Sequence, residues 1–294
     1  MMPEMQLLRR IGDAQRTLKY TGRRVTLVRV GTTEVRNVEN VWSDQMRERI
    51  EFERGSANAG QVIVTNGRTR QHYFPATNEI HVTPSRLENP IRRIVQLVAE
   101  PGGPRFRTTK SAGESIAGRE TSVLTVTDPS GTTIAKVWYD NSTLLILKRE
   151  LFNPTGRLVG SYEFTRVAFN PKLDPTDFVL NRPGAKVIDI RELMMRTCRE
   201  VGVPPRILAP GSGFQLDSVR KLDLGGKFAV VQGYTGEEGR LTLFILRGAV
   251  DDAKVKRLAA GQMASRVIQR GEETILLVGD MSADRLNRLV SFVQ

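Results

Sequence analysis

The chain has 294 residues, with 39% hydrophobic and 26% charged, so it is globular in composition and long enough for about two domains. Forty-four basic against 32 acidic residues give a net charge of +12, which favours an anionic partner: a phosphorylated lipid headgroup, an acidic protein segment or nucleic acid. No apolar run reaches the ~20 residues that span a bilayer, and the single cysteine, Cys198, excludes an internal disulfide and a cysteine-based zinc or redox site.

In chain order, the opening MMPEMQLLRRIGDAQ shows no apolar core followed by a small-residue cleavage site. Over 3–20, Leu7, Leu8, Ile11, Ala14 and Leu18 recur at helical spacing and predict an amphipathic helix, ended by Thr21-Gly22. MRERIEFE then alternates, with Met46, Ile50 and Phe52 on one side and charges on the other, as a strand does. QVIVT, NGR and TRQHYF predict a hairpin around Asn66-Gly67. After IHVT, Asn89 and Pro90 suit the start of a second helix near 90–99, whose stripe is Ile91, Ile94, Val95 and Val98. RFRTTK, RETSVLTVT, TTIAKVWYD, LLILKRELF and RLVGSYEFTRVAF follow, cut by turn residues, and describe an antiparallel meander. A sheet of this size curls, and helices with one apolar stripe would lie on its concave face.

Residues 183–210 interrupt the meander with a short helix between Pro183-Gly184 and Pro204-Pro205, and read as a linker. Cys198 falls on one face of that helix with Ile190, Met194 and Thr197, which suits a buried thiol rather than a nucleophile. Beyond it, 211–294 holds strands, a helix near 250–260 and a last helix capped by Ser282: a smaller α+β domain. The division is thus 1–182, 183–210 and 211–294.

No catalytic constellation assembles. Gly113-Glu114-Ser115-Ile116-Ala117-Gly118 is one residue too long for a nucleophile elbow and sits among turns. Asp128, Asp140 and Asp177 occupy turn and cap positions. His72 and His81 could be diagonal neighbours on one face, but no third metal ligand of suitable geometry stands near. The arginines alternate with apolar residues as on a solvated sheet, and a basic groove lined with aromatics, the pattern of a nucleic-acid binder, is not evident. The chain reads as a non-enzyme without a cofactor or metal.

A series of short motifs, in order, carries a resemblance. Ile116-Ala117-Gly118-Arg119 precedes Val137-Trp138-Tyr139-Asp140, then Thr143 to Lys148, Asn153 to Gly156, and Tyr162-Glu163-Phe164-Thr165. Upstream stand Leu18-Lys19-Tyr20-Thr21-Gly22 and Ile63 to Gly67, and downstream Pro210 to Phe214, Tyr234 to Phe244 and Val278-Gly279-Asp280. In this order they resemble the MucB/RseB family of periplasmic sigma-E regulators, with Tyr139 in place of the usual aliphatic residue.

The resemblance implies an α+β fold: an open antiparallel half-barrel with a helical lid, like the lipoprotein carriers LolA and LolB, plus a smaller α+β domain. It implies a periplasmic or extracytoplasmic binding protein that holds a membrane-anchored anti-sigma factor. The ligand in an apolar cavity would be an acyl chain, lipoprotein or anionic lipid, and no nucleic acid is implied. A lipoprotein or lipid carrier on the same fold, and a basic nucleic-acid binder, are the alternatives. Lining residues expected for the cavity are Leu18, Trp42, Ile50, Phe52, Phe74, Ile91, Ile94, Val95, Trp138, Leu147 and Phe164.

Overall fold

The computed structural model describes residues 3–30, 33–85, 106–153, 155–236, 239–249, 264–279 and 281–294. The chain is mostly β, with few helices, and divides into two compact units. The first comprises 1–79 and 85–185, the second 80–84 and 186–294.

In the first unit a helix, α1 (Pro3–Thr17), leads into β1 (Lys19–Val30), β2 (Thr33–Asp44), β3 (Arg47–Phe52), β4 (Val62–Thr65) and β5 (Thr69–Phe74). A sixth strand, β6 (Glu79–Pro84), gives all but its first residue to the second unit. The chain resumes with β7 (Arg107–Ala112), β8 (Thr121–Thr127), β9 (Thr133–Asp140), β10 (Ile146–Phe152) and β11 (Leu158–Phe169). Within this unit the sheet order is β5-β4-β3-β2-β1-β11-β10-β9-β8-β7. Every one of these pairs is antiparallel, and β1 with β11 joins the two meanders into one large open sheet.

Local chemistry explains the corners. Asn66 accepts Arg68 N–H and Thr69 N–H on its side-chain oxygen, and Gly67 takes the left-handed conformation the hairpin needs (φ 87°). Asp128 and Asn153 fold their turns in the same way, each accepting backbone N–H groups two and four residues on. Of α1's stripe, Leu8 and Ile11 are fully buried against Leu124, Val126, Ala135, Val137, Tyr139 and Ile146. Gln15 pins the helix at its end: its amide donates to Leu144 C=O (3.1 Å) and accepts from Ile146 N–H (3.3 Å) beside the irregular β9–β10 register.

The first helix stops earlier than its periodicity suggests. Thr21 and Gly22 lie inside β1 rather than ending α1. The β-branched residues spread along this segment, Thr21, Val25, Thr26 and Val28, favour a strand over helical spacing once it pairs on both edges, with β2 and with β11. The second expected helix, near 90–99, and the one near 250–260 lie outside the described residues.

The second unit holds β12 (Lys186–Asp189), α2 (Ile190–Val201), β13 (Phe214–Asp223), β14 (Phe228–Gly236), β15 (Gly239–Arg247), β16 (Ala264–Arg270), β17 (Glu273–Gly279) and α3 (Ala283–Leu289). Its sheet runs β13-β14-β15-β17-β16, and β12 neighbours β6. Asp189 caps α2 by accepting from Arg191 N–H and Glu192 N–H, and Gly202 ends it at φ 75°. Ser282 caps α3 as expected, through Arg285 N–H. One sheet face packs against both helices in a core of Met194, Cys198, Tyr234, Leu243, Ile245, Leu277, Leu286 and Leu289, among others.

The segment expected as a linker is divided: 183–185 go with the first unit and 186–210 with the second. The physical reason is the face of α2 that carries Met194, Thr197 and Cys198, which is buried in that core. The stretch after it is also sewn down. Ile207 and Gln294 exchange backbone hydrogen bonds, Leu208 N–H donates to the Tyr234 hydroxyl, and Arg206 holds the buried Glu273 carboxylate at 2.9 Å. Burial pushes Tyr234 up to about 12.

Candidate functional site

Eight of the expected lining residues fall within the described part of the first unit. Ile50, Trp138, Leu147 and Phe164 are buried in one cluster with Tyr20, Val41, Ile63, Ile116, Val123 and Leu145. Leu18 and Phe52 pack against its margin. The cluster includes Val123 and Trp138, which pair with each other, while their sequence neighbours Leu124 and Val137 pair under α1. Both faces of the sheet at β8 and β9 are therefore apolar.

Trp42 does not join this cluster. Val41 stands opposite Ile50 and Trp42 opposite Arg49, so Trp42 projects to the face away from Ile50 and Phe52. Phe74 shares the Ile50 face by register, through Ile63 and His72, but is half-buried and stacks on the His72 ring at 4.0 Å. Ile91, Ile94 and Val95 lie outside the described residues.

The register brings a charged group to the middle of the same face, which the sequence reading missed. Tyr20, Arg24 and Thr26 on β1 share this face with Glu39 on β2 and with Tyr162 and Phe164 on β11. Arg24 Nε donates to Glu39 Oε2 at 2.7 Å, and the Thr26 hydroxyl donates to the other carboxylate oxygen at 2.7 Å. The pair is well buried, with side-chain exposures of 18% and 7%. The Arg24 guanidinium lies over the rings of Tyr162 (5.4 Å) and Phe164 (6.0 Å), and Arg149 on β10 lies over Tyr162 as well (5.2 Å). Burial opposes the Arg24 charge, but the carboxylates of Glu39 and Glu48 outweigh it and hold its pKa above the ordinary value. Burial, reinforced by Glu48, pushes the Tyr20 hydroxyl well above the usual phenol range, and burial raises Tyr162 too. The signal was present in Tyr20-Thr21-Gly22-Arg23-Arg24: Arg24 has the parity of Tyr20, and a strand puts both on one face.

A second arrangement joins two of the short motifs. Arg119 donates to both carboxylate oxygens of Asp140, at 2.6 and 3.3 Å, and lies over the Phe169 ring. Asp140, 1% exposed at its side chain, also accepts from Ser142 N–H, Thr143 N–H and the Thr143 hydroxyl. Ala117 and Gly118 both adopt positive φ (51° and 74°) in the tight turn that delivers Arg119. The role is structural: every oxygen of the carboxylate is engaged by the chain itself.

The two histidines have different surroundings. His72 Nε2 pairs with Gln61 Oε1 at 2.7 Å, and His81 Nε2 accepts from Arg196 at 3.2 Å. Among the described residues no group of three or more His, Cys, Asp or Glu is placed to hold a metal ion. Several arginines are matched within the fold, one carboxylate to each, which leaves the net positive surplus as it stands. Arg23, Arg24, Arg29, Arg47, Arg49, Arg119, Arg206 and Arg247 all form ion pairs with carboxylates.

Comparison with known proteins places this geometry. A family model of the MucB/RseB N-terminal domain matches residues 3–180. No curated protein sequence matches the chain. Among solved structures, the chain is similar to MucB in complex with MucA(peri), with a TM-score of 0.52 and 18% identity over 100% of this chain and 98% of that one. A complex of Pseudomonas aeruginosa MucA and MucB gives the same TM-score and identity, covering 100% and 99%. A further crystal structure of MucB matches with a TM-score of 0.50 at 18% identity, over 98% of this chain and 96% of that one. At this identity the likeness concerns the fold, and it extends over nearly the whole length of each protein.

Proposed function

The chain belongs to the MucB/RseB family, and from that premise we propose that it is a non-enzymatic periplasmic regulator that binds the periplasmic segment of a membrane-anchored anti-sigma factor. The observation that carries the reading is the family match over 3–180, supported by fold likeness to MucB solved with the periplasmic part of MucA. The second unit also supports it, because a simple lipid carrier needs only the first. Its own core and capped helices make it an independent body able to present a protein-binding surface.

In this reading the first unit's sheet curls into an open half-barrel with α1 as part of its lid, and the face of Ile50, Phe52 and Phe164 receives a lipidic ligand. Burial of an acyl chain contributes about 0.8 kcal/mol per CH₂, so affinity needs no catalytic group. The Arg24–Glu39–Tyr162–Arg149 group on that face refines the ligand: an acyl chain carrying a polar or anionic headgroup fits it better than a bare hydrocarbon.

Two measurements test this. Calorimetry with the periplasmic segment of the anti-sigma factor from the same organism should show a complex, and its absence overturns the regulatory reading. Thermal melting with lysophosphatidylglycerol should raise the melting temperature, by the equivalent of about 2.7 kcal/mol at a 100-fold excess over Kd. A melt that does not move with any lysophospholipid leaves a scaffold for a protein partner alone.

A further inference from the structure

The β13–β14 hairpin of the second unit ends in a tip that exposes an aromatic ring. Leu224 N–H donates to Lys227 C=O at 2.7 Å across Gly225 and Gly226, which both take positive φ (79° and 86°). This is the two-residue turn that matches strand twist, and the pair of glycines makes it tight. Asp223 accepts both glycine N–H groups on one carboxylate oxygen, which fixes the turn.

Around this turn stand Lys221, Lys227 and Phe228, all exposed, with Leu222 and Leu224 half-buried; by register Lys221 and Phe228 share one face of the hairpin and Leu222 takes the other. Phe228 is 42% exposed and lies beyond the last β14–β15 pair, Ala229 with Leu246. The Lys221 ammonium sits 4.1 Å from the centroid of the Phe228 ring, and Lys227 Nζ reaches Ala249 C=O at 3.4 Å. An exposed aromatic flanked by lysines on a stiff loop suits one environment in particular. The ring enters the acyl boundary of a bilayer, while the long lysine stems place their charges among the headgroups.

We propose that the tip formed by Lys221, Leu224, Lys227 and Phe228 is a contact for an anionic phospholipid membrane surface. Charge selects the occupant: Lys221 and Lys227 against the single carboxylate of Asp223, which the turn holds, leave the tip net positive and suited to anionic headgroups. The inference is independent of any ligand on the first unit's sheet.

Co-sedimentation with vesicles tests it. The full chain should bind vesicles of phosphatidylglycerol and phosphatidylethanolamine more tightly than vesicles of phosphatidylcholine alone, and added salt should weaken the binding. Phe228→Ser, and separately the pair Lys221→Gln with Lys227→Gln, should each lower partitioning about tenfold. Neither variant touches the core, so both should melt with the wild type and keep any lysophosphatidylglycerol-induced shift, which separates this contact from a ligand site in the first unit. Equal partitioning of wild type and variants, or no wild-type binding to the anionic vesicles, overturns the proposal. So does a variant that loses the anti-sigma complex while still binding vesicles, because the tip would then be a protein contact.

Discussion

Arg119 and Asp140, 21 residues apart in sequence, meet through a hydrogen bond of 2.6 Å and tie the β7–β8 turn to the end of β9. The carboxylate is desolvated, which alone would raise its pKa, but Arg119, Thr143 and Ser142 overcome this and hold it below the ordinary carboxylate value. A lowered folded pKa adds stability above the unfolded value of about 3.9, and that stability is lost as pH falls through the folded value. Asp140→Asn should therefore cost about 1–3 kcal/mol in urea unfolding at pH 7. The difference from wild type should shrink below about pH 4. A gap that stays constant down to pH 2 would show that the charge plays no part.

The Arg24–Glu39 pair should behave as a unit. Arg24→Met leaves a carboxylate buried without its cation and should cost about 3–5 kcal/mol. Adding Glu39→Leu should recover most of that loss, because two apolar side chains replace two charges, although Thr26 loses its acceptor. A double-mutant cycle by chemical denaturation reads the coupling. Additive losses would mean that the two residues do not depend on each other.

Gly22 is fixed by its neighbour rather than by its backbone. A Cβ there would stand 2.6 Å from Phe164 Cε1 and 2.9 Å from Arg166 C=O. Phe164 has little room to yield, being 2% exposed and edge-on to both Tyr20 and Tyr162. Gly22→Ala should destabilise the protein by about 1–3 kcal/mol. Combining it with Phe164→Leu, which vacates space beside the new methyl, should cost less than the sum of the two single changes. A full sum in thermal melts would place the strain elsewhere.

Tyr20 gives an alkaline prediction. Its folded pKa is raised by burial and by Glu48, so the unfolded chain loses this proton first. The associated stability is complete below the unfolded value of about 10 and is lost as pH climbs toward the folded one. Up to about 1.4 kcal/mol per pH unit should disappear there through this one group. Tyr20→Phe should flatten the decline of stability between pH 10 and pH 11 as measured by urea midpoints, with Tyr162 and Tyr234, both raised by burial, contributing to the slope that remains. An unchanged slope would assign the whole effect to other groups.

The antiparallel meander, the Asn66-Gly67 hairpin and the Ser282 cap were legible because turn chemistry and period-two alternation are local. Family membership was legible because several short motifs keep their order. The face Trp42 takes was not legible for a different reason: an apolar residue announces burial but not a side, and only the pairing of Val41 with Ile50 decides which side Trp42 takes. Arg24 escaped notice because an arginine in a strand reads as solvent-facing until both neighbouring strands are known. The segment 183–210 was read as a linker from its prolines, while the apolar face of Met194, Thr197 and Cys198 within it belonged to a core assembled from strands much further along.

The membership of β6 bears on any attempt to study the first unit by itself. The polypeptide passes from one unit to the other at 79/80, at 84/85 and again at 185/186. Cutting after residue 185 therefore does not release a clean module. It amputates β12, the neighbour of β6, and strands Ile80–Pro84 in the longer, N-terminal product without the body they belong to. Such a fragment would carry a bare β-edge able to recruit a second copy of itself. Removal of the later unit is better engineered by also recasting 80–84 as a polar turn, so that loss of binding can be told apart from clumping of a damaged remnant.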